Sequence, residues 1–415
     1  MKHSIDAKTL GEFSLPIVDA IQKCVHCGFC LPSCPTYQVL GQEMDSPRGR
    51  IVLMKEVLEG NLDADQAAPF VDRCLGCVAC ETACPSGVEY GNLLSSYRSI
   101  VHDRVKKSLG NRIRNWIVHQ TVPHPTRFRI AARLGKLASP LSFMLPGFLK
   151  PMLELIPDSL PAKRSLPEFS AATGERKGQI GLLTGCAQQV LAPEINLATI
   201  RVLNRVGFDV LVPRGQSCCG ALDWHEGRLE STRKLAARNF GLFDDTDAVI
   251  TNAAGCGSAI GEYDVVFHGT DQADAARQFS GKVVDVSVFL AKQQLPPMKF
   301  NQPTKIAVQD ACHLVHAQGI RNQPLQLLEQ IENVRLVSLE ESDRCCGSAG
   351  TYNLQQPKIA SELGRIKAQS IVDSGCDIVA SGNIGCLVQI RKYLKLLNSP
   401  IRAIHTIEIL DQTME

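Results

Sequence analysis

Short apolar runs alternate with longer amphipathic stretches through the second half of the chain. The apolar runs are rich in Val and Ile and have the length of buried strands, whereas the longer stretches repeat apolar residues at helical spacing. The predicted strands cover residues 180–183, 210–212, 249–251, 306–308, 334–339 and 378–380. The predicted helices cover residues 194–206, 229–240, 324–331, 359–372 and 387–397. Strands and helices that alternate in this order predict βαβ units built on a parallel sheet.

The same order of elements occurs twice, at an offset of about 125 residues, which is typical of an internal duplication. The last segments of the two copies also match, since residues 284–290 and 404–410 share one pattern of apolar positions. We therefore predict two duplicated α/β domains with short parallel sheets, over residues 178–297 and 298–415.

Helical periodicity dominates residues 1–118, where strand patterns are scarce. Ser46 followed by Pro47 is a typical helix start, and the apolar positions after it predict a helix that ends at Gly60. Further helices are predicted over residues 69–73 and 90–107. The predicted fold class is therefore multidomain α and α/β, with a mainly helical domain at the N-terminus.

Residues 119–177 are predicted to connect the helical and α/β domains. Eight prolines separate short apolar pieces there, so long regular elements are not expected. Basic residues, with Asp103 as the single acid among them, are concentrated before and inside this connector: Arg98, Arg104, Lys106, Lys107, Arg112, Arg114, Arg127, Arg129, Arg133 and Lys136. An apolar stretch over residues 141–156 follows, and the combination is typical of a peripheral membrane contact. The alternative is a segment that packs on the protein's own core or on a partner subunit.

Length, charge and cysteine content narrow the class of protein. The 415 residues suffice for about three domains, and a net charge of +2 gives no indication of nucleic-acid binding. The 17 cysteines are grouped, which favours metal binding in a reducing compartment over a disulfide scaffold. Residues 1–16 lack the apolar core of a signal peptide, and no run reaches the roughly 18 apolar residues that span a bilayer. We expect a cytoplasmic protein, either soluble or peripheral on the cytoplasmic face of the inner membrane.

Two cysteine motifs with the spacing C-x2-C-x2-C-x3-C-P lie in the helical domain. This spacing is typical of bacterial ferredoxins with two [4Fe–4S] clusters, in which the fourth cysteine of each motif ligates the other cluster. The predicted ligands of one cluster, the first ferredoxin set, are Cys24, Cys27, Cys30 and Cys84. Those of the other, the second ferredoxin set, are Cys74, Cys77, Cys80 and Cys34. Zinc sites usually contain two separated cysteine pairs and disulfides need an oxidising compartment, so neither alternative is favoured.

A further group of cysteines follows the predicted strands of the α/β domains. Each of two sets contains an adjacent cysteine pair followed by glycine, and we call them the CCG sets after this Cys-Cys-Gly motif. The first CCG set consists of Cys186, Cys218, Cys219 and Cys256, and the second CCG set of Cys312, Cys345, Cys346 and Cys386. Because the carboxyl ends of parallel strands meet at one edge of a sheet, each set is expected to gather there. One set or both would then ligate a further [4Fe–4S] cluster or a zinc ion. The alternative is buried structural thiols, which is our interpretation of Cys376.

The duplicated Cys-Cys-Gly motif resembles the CCG domains of several redox proteins. These are heterodisulfide reductase subunits, lactate-utilisation proteins, anaerobic glycerol-3-phosphate dehydrogenase and glycolate oxidase iron–sulfur subunits. The order of a double ferredoxin motif and two CCG domains is most similar to that of the glycolate oxidase (glycolate dehydrogenase) iron–sulfur subunits. The segments that carry this resemblance are CVHCGFC at 24–30, PRGRI at 47–51, CETACPSGV at 80–88, CCGSAGTY at 345–352 and NIGC at 383–386.

The resemblance implies an electron-transfer subunit of a membrane-associated glycolate dehydrogenase. Flavoprotein partner subunits would oxidise glycolate to glyoxylate, and this chain would pass the electrons to quinone or another acceptor. The alternatives are an equivalent subunit for lactate or glycerol 3-phosphate, or a heterodisulfide-type thiol/disulfide reductase. The reductase is disfavoured, because its motif ends in C-x-x-C, whereas Ala259 and Gln389 occupy the last position here.

Catalytic residues are not predicted on this chain. It contains neither a dinucleotide-binding glycine motif nor a P-loop motif. None of His26, His313, His316 and His405 can be paired with an acid from the sequence. His313 directly follows Cys312 and is interpreted as a hydrogen-bond donor beside a metal site. The substrate chemistry is therefore expected on the flavin of a partner.

Overall fold

The computed structural model describes residues 1–139, 143, 146–154, 156–157 and 159–414. These residues form a helical N-terminal part that is followed by two α/β parts, each built on a short sheet. No helix within these ranges is long and apolar enough to cross a bilayer.

The N-terminal part consists of short helices, as the periodicity predicts. They are α1 (Ser14–Lys23), α2 (Pro35–Leu40), α3 (Pro47–Leu58), α4 (Ala64–Val71), α5 (Ala79–Thr82) and α6 (Tyr90–Val101). Helix α3 begins where predicted, because the Ser46 hydroxyl accepts a hydrogen bond from the Gly49 N–H at 3.0 Å. Helix α4 begins earlier than the predicted residue 69, since Asp63 and Gln66 form a capping box at its start.

One long helix lies inside the predicted connector and another ends at its start, so the expectation that long regular elements are absent there was wrong. Helices α7 (Leu109–Thr121) and α8 (Pro125–Ala138) pack against each other, and α9 (Lys150–Glu154) follows. Pro125 lies in the first turn of α8, where its missing N–H breaks no hydrogen bond. Helix α7 also crosses the predicted domain boundary at residue 118, and the domain bounds remain predictions.

The two α/β parts contain parallel sheets with the same order of strands, which confirms the predicted fold class and duplication. The first sheet has the order β1-β3-β2-β4-β5, and its strands are β1 (Phe169–Ser170), β2 (Gly178–Leu182), β3 (Phe208–Leu211), β4 (Ala248–Thr251) and β5 (Val283–Asp285). The second has the order β7-β6-β8-β9, and its strands are β6 (Lys299–Val308), β7 (Glu332–Val337), β8 (Ile378–Ser381) and β9 (Arg402–His405). Only the edge strand β1 is antiparallel among the described strands.

Helices cover both sheets and join the two α/β parts. Those of the first part are α10 (Gln188–Leu191), α11 (Glu194–Val206), α12 (Ala221–His225), α13 (Leu229–Ala236), α14 (Ala254–Gly261), α15 (Tyr263–Val266), α16 (Ala273–Lys282) and α17 (Val286–Leu290). Those of the second are α18 (Cys312–Val315), α19 (Asn322–Glu329), α20 (Tyr352–Gln355), α21 (Pro357–Asp373), α22 (Ile384–Leu396) and α23 (Thr406–Thr413). Helix α11 packs on α23, and residues from both sheets belong to one apolar core.

A second apolar core joins the helical part to the first α/β part. Ile17 of α1 and Leu93 of α6 lie in it together with Trp224 and Tyr263. The ferredoxin motifs are therefore packed directly against the α/β parts, and this packing brings the cysteine sets close to one another.

Candidate iron–sulfur sites

The first ferredoxin set lines a single pocket. Its four members come from the first cysteine turn and from the end of α5, so the two motifs meet there. Cys24 is buried, whereas Cys27 is exposed at the surface. The structure thus brings together the four residues that the spacing assigned to one cluster, and Cys80 of the other predicted set also lines this pocket.

Both cysteine turns use the same backbone conformation. His26 and Gly28 have φ angles of 59° and 87°, and Gly76 and Val78 at the equivalent places have 64° and 51°. Positive φ is rare for His and Val, and two such residues flanking the middle cysteine tighten the turn. A tight turn lets three sulfurs of one motif point to the same side, as ligation of one cluster requires.

The second ferredoxin set lies deeper. Burial raises the pKa of Cys77 and Cys80 well above the usual thiol range, and the nearby Cys34 and Cys74 raise it further. Bare buried thiolates would be costly here, and bound iron would compensate their charge.

A buried arginine supplies positive charge next to this set. The Arg50 side chain is completely buried in α3, and its Nη1 donates to the Cys34 sulfur at 3.8 Å. Burial opposes the charged form, yet the surrounding acidic groups, Cys74 foremost, raise the pKa of Arg50. Asp45 is also buried and lies 3.4 Å from Arg50 Nη2 and 2.8 Å from Arg73 Nε. The guanidinium therefore remains charged beside a proposed ligand sulfur.

The first CCG set gathers where strands β2, β3 and β4 end, as expected for an open parallel sheet. The sulfurs of Cys186 and Cys218 are 3.4 Å apart, and those of Cys219 and Cys256 are also in hydrogen-bonding contact. Gly220 follows with a φ of 81°, and its N–H points at the Cys218 sulfur from 3.4 Å. The set forms one continuous chain of neighbouring sulfurs.

The second CCG set repeats this arrangement with every member buried. Sulfur contacts join Cys312 to Cys345, Cys345 to Cys346 and Cys346 to Cys386. The Asn383 amide donates to the Cys386 sulfur at 3.4 Å. Both duplicated sets are thus assembled by the fold, although they are spread over about 70 residues of sequence.

The residues at the two missing fifth-cysteine positions are buried. Ala259 is packed in α14, and the Gln389 side chain donates from α22 to the Ala360 carbonyl at 3.0 Å. Cys376 is buried in the apolar core that the α/β parts share, where its sulfur donates to the Ile371 carbonyl at 3.9 Å, and it remains interpreted as a structural thiol.

The donor chemistry of the four sets fits iron–sulfur clusters. Within the described ranges, no three His, Cys, Asp or Glu side chains converge tightly enough to hold a single metal ion as they stand. A four-iron cluster is larger than one ion, so its thiolate ligands stand further apart around a pocket, as the first ferredoxin set does. The sulfurs of the CCG sets are closer, with 3.4 Å between those of Cys186 and Cys218, so these sets suit zinc as well as a cluster. Sulfur-only ligand sets of four are also what such clusters use, which favours a cluster over a carboxylate-bound metal.

The second ferredoxin set and the second CCG set adjoin each other. Cys77, Cys312 and Cys345 belong to one small apolar cluster, and Cys345 is close enough to raise the pKa of Cys77. The Tyr352 hydroxyl crosses the boundary and donates to the Arg73 carbonyl at 2.9 Å.

Two histidine rings meet at the junction of the three parts. The Nε2–H of His313 donates to the Gly76 carbonyl at 2.9 Å, inside the second cysteine turn. Its ring lies edge-on to that of His225, with centroids 5.2 Å apart. Burial lowers the pKa of His313 to about 4, so this ring is neutral near pH 7. The predicted hydrogen-bond donor is therefore present.

His405 and His316 make local structural contacts. His405 caps α23 and its ring bonds to the Asn252 carbonyl at 2.9 Å. The His316 ring lies 2.9 Å from the Thr82 hydroxyl, across the contact between the helical and second α/β parts.

Sequence reasoning missed three residues close to the sites. They are Arg50, His225 and Lys367, whose ammonium lies near the second CCG set and donates to the Glu341 carbonyl at 2.6 Å. The sequence pattern could have indicated two of them, because Arg50 and Lys367 are charged residues within the otherwise apolar faces of α3 and α21. A charged residue on a buried helical face needs a partner inside the protein.

The family matches coincide with the sites. Residues 20–88 match the 4Fe-4S dicluster domain family, and this range contains both ferredoxin sets. Residues 180–261 and 306–391 match the cysteine-rich domain family known as CCG, and each range contains one CCG set. Two [4Fe–4S] clusters in the helical part are therefore supported by the family as well as by spacing.

Two similar proteins cover nearly the whole chain, and a third covers just over half of it. The probable glycolate oxidase iron-sulfur subunit of Bacillus subtilis is 36% identical, over 93% of this chain and 92% of its own length. The glycolate oxidase iron-sulfur subunit of Escherichia coli is also 36% identical, over 95% of this chain and 94% of its own. The lactate utilization protein A of Geobacillus kaustophilus is 26% identical, over 56% of this chain and 98% of its own.

Proposed function

Because this chain belongs to the family of glycolate oxidase iron–sulfur subunits, we propose that it is the electron-transfer subunit of a glycolate-oxidising complex. Flavoprotein partner subunits oxidise glycolate to glyoxylate, and the electrons pass through this chain to quinone or another acceptor. The observation that carries the proposal is the buried contact between the second ferredoxin set and the second CCG set.

The proposed ligands are the sixteen cysteines of the four sets. The two ferredoxin sets hold two [4Fe–4S] clusters, and the CCG sets hold a further cluster or zinc. A bound iron–sulfur cluster accepts and donates single electrons. The protein's own part is to hold the sulfurs, exclude water and place charge, as Arg50 does beside Cys34. The proposed domains remain residues 1–118, 119–177, 178–297 and 298–415.

The surface around the first ferredoxin set suits a docking partner. Cys27 is exposed there, and the neighbouring Val25 and Phe29 side chains are each 66% exposed. Exposed apolar side chains beside a redox site allow a protein partner to approach closely and displace water. This surface is the proposed entry point for electrons from the flavoprotein.

Helices α7 and α8 form the proposed membrane contact. Their outward faces carry an apolar surface at helical spacing, between 40% and 76% exposed: Leu109, Ile113, Trp116, Ile130, Leu134 and Leu137. Exposed Arg112, Arg127 and Arg133 accompany it, and residues 104–153 contain no Asp or Glu. Apolar side chains and unopposed positive charge together fit the anionic cytoplasmic face of a membrane.

The apolar stretch predicted for this role, residues 141–156, contributes less. Residues 141, 144, 145 and 155 lie outside the described residues. Leu153 and Ile156 face Gly135 of α8, so they cover this helix from the protein side. Phe143 is 74% exposed.

Vesicle binding tests the membrane contact. The full chain should sediment with vesicles that contain an anionic phospholipid and bind neutral vesicles more weakly. Trp116→Ser combined with Leu134→Ser should weaken binding about tenfold or more, since both side chains would leave the bilayer interface. Leu396→Ser removes an apolar residue that is 62% exposed on α22 and serves as the matched control. Equal binding of both variants would contradict the proposal.

Metal analysis tests the ligand sets. Iron, acid-labile sulfide and zinc should be measured on anaerobically purified wild type and on a Cys345→Ser/Cys346→Ser variant. About twelve irons or more, falling by about four in the variant, place a cluster in the second CCG set. About eight irons in both proteins mean that only the ferredoxin sets hold clusters, with zinc or bare thiols in the CCG sets.

Substrate-dependent reduction tests the glycolate assignment. The chain is assembled with its flavoprotein partners, and the electron paramagnetic resonance signal of the reduced clusters is followed anaerobically. Glycolate should produce the signal, whereas lactate and glycerol 3-phosphate should not. Faster reduction by lactate would favour the second candidate, which the partial similarity to a lactate utilization protein suggests. Disulfide reduction by the isolated chain would favour the thiol/disulfide reductase instead.

A further inference from the structure

A cavity of about 180 Å³ lies where the helical part meets both α/β parts. Helices α4, α6 and α7 line it from one side, and the segments after the adjacent cysteine pairs of both CCG sets line it from the other. Cys74 and His313 are among the lining residues, so the cavity reaches the second ferredoxin set and the junction of the histidine rings. The function proposed above does not use this cavity.

Two buried hydrogen-bond donors in its lining are unsatisfied. Tyr97 is 1% exposed and Arg114 is 8% exposed. Among the described residues, neither the Tyr97 hydroxyl nor the Nε–H of Arg114 has a hydrogen-bond partner. Burying such a donor without an acceptor costs about 1–3 kcal/mol, so a bound acceptor would stabilise both.

Other polar groups of the lining are already engaged. Arg98 donates to the carbonyl oxygens of Val71, Cys74 and His225 at 2.9–3.1 Å. The carboxylate of Glu226 is bound by His119, whose Nε2 is 2.8 Å away, and by side chains of the second α/β part. Among the buried side chains of the lining, the donors left for a ligand are therefore the Tyr97 hydroxyl and the Arg114 Nε–H, whereas Lys107, Asn111 and Asn115 lie in its more exposed part.

The remaining lining favours an uncharged ring over a free anion. Aliphatic side chains form much of the wall: Ala68, Val71, Leu75, Val101, Val105 and Leu222. Asp72 and Glu226 also line the cavity, but so do the cationic Arg98, Lys107 and Arg114, so the aliphatic wall rather than the charge of the lining favours the ring. A protein cavity of roughly 150 Å³ can hold benzene, so this one has room for a single ring with small substituents.

We infer that this cavity binds the ring of a quinone, which accepts hydrogen bonds at its two carbonyl oxygens from Tyr97 and Arg114. The inference rests on the proposed electron-transfer function, which supplies the electrons. The quinone takes up two electrons, one at a time, and two protons from water. An O–H bond then forms at each carbonyl oxygen, and the quinol leaves.

The position of the cavity relative to the proposed membrane contact supports this occupant. Arg114 lies on the buried face of α7, and the opposite face carries Leu109, Ile113 and Trp116 of the apolar surface. A helix with its side chains is about 10–12 Å across, so a single helix separates the cavity from the proposed bilayer surface.

Direct binding to the cluster-loaded full chain tests the inference without glycolate or flavoprotein. Binding is measured by calorimetry in detergent. The quinone probes are a short-tailed benzoquinone and a short-tailed naphthoquinone, and the anionic probes are glycolate, acetate and phosphate. Tyr97→Phe removes one donor and should weaken quinone binding about tenfold, or ~1.4 kcal/mol. Arg114→Met should weaken it by at least as much.

Arg129→Met is the matched control, because Arg129 is a buried arginine of α8 that bonds to the Pro161 and Gln189 carbonyls outside the cavity. Its quinone affinity should stay within about twofold of wild type. If Arg114→Met fails to fold, Tyr97→Phe decides. Three results would overturn the inference. The wild type does not bind quinone, both cavity variants bind quinone as tightly as wild type, or an anion binds and excludes quinone. If glycolate does not reduce the complex while Tyr97→Phe still weakens quinone binding, the proposed substrate is wrong and the quinone site stands.

Discussion

Replacing Arg50 by methionine should lower the reduction potential of the cluster proposed at the second ferredoxin set. The guanidinium is fixed by three further contacts in a fully buried site: its Nε donates to the Phe70 carbonyl at 2.8 Å, and its Nη2 donates to Thr36 at 2.9 Å and to Asp45 at 3.4 Å. Its positive charge therefore stands at a constant place beside the Cys34 sulfur. Reduction adds negative charge, which this cation stabilises.

The magnitude follows from Coulomb's law. Two unit charges at the 3.8 Å that separates Arg50 Nη1 from the Cys34 sulfur interact by about 4 kcal/mol at an effective dielectric constant of 20. For a one-electron couple, a tenfold change corresponds to about 59 mV or ~1.4 kcal/mol, so the upper limit is about 180 mV. The added electron spreads over several irons and sulfurs, and a fall on the order of 100 mV is expected.

The same substitution should also destabilise the protein. Asp45 is completely buried and would keep only Arg73, whose side chain is partly exposed. Removing one partner of a buried ion pair costs about 3–5 kcal/mol, and the remaining arginine makes the lower end of this range the expected loss. Arg50→Lys keeps a positive charge in the site. It should therefore lower the reduction potential by at most half as much as Arg50→Met does.

An anaerobic redox titration followed by electron paramagnetic resonance measures the potential, and denaturant unfolding measures the stability. Iron content is determined first, so that only cluster-loaded protein is compared. A potential for Arg50→Met that equals or exceeds the wild-type value would refute the reasoning. Equal losses of potential in the methionine and lysine variants would show that hydrogen bonding, rather than charge, is responsible.

Two further substitutions test the packing around the sites. Gly347→Ala should destabilise the second α/β part by about 2–4 kcal/mol, because φ is 84° and an added Cβ would lie 2.6 Å from a backbone oxygen of α21. Gly375→Ala is the control for backbone strain alone, since φ is 63° and no described atom lies within 4 Å of the added Cβ. Its free energy of unfolding, measured in urea, should fall by about 1–2 kcal/mol. Equal losses in the two variants would contradict the packing argument. Burial lowers the pKa of His119, but hydrogen bonds to the carboxylates of Asp223 and Glu226 raise it more, so the folded-state pKa lies above the unfolded one. This stabilisation is complete below the unfolded-state pKa of about 6.5 and is lost as pH rises through the folded-state pKa. The unfolding midpoint of the wild type should therefore fall as pH rises through this range. The midpoint of His119→Gln should change less with pH.

The local features of this protein were predictable because they depend on residues close in sequence. The cysteine spacing predicted both turns of the helical part, and the start of α3 followed from Ser46 and Pro47. The alternation of strands and helices predicted both sheets and their duplication, including the closing segments that form β5 with α17 and β9 with α23. The errors were also local in origin, since Pro125 was read as a break although it starts α8.

The sequence by itself predicted which cysteines form each set and which strands they follow, because motif spacing, strand periodicity and the repetition of both are visible along the chain. Only the tertiary structure decided which sets adjoin, that Arg50 lies beside Cys34, and that Tyr97 and Arg114 share a cavity with Cys74. These contacts join residues on separate elements of the chain, and they arise from how apolar faces of separate helices pack together. A sequence pattern marks such a face as buried without naming the surface that covers it.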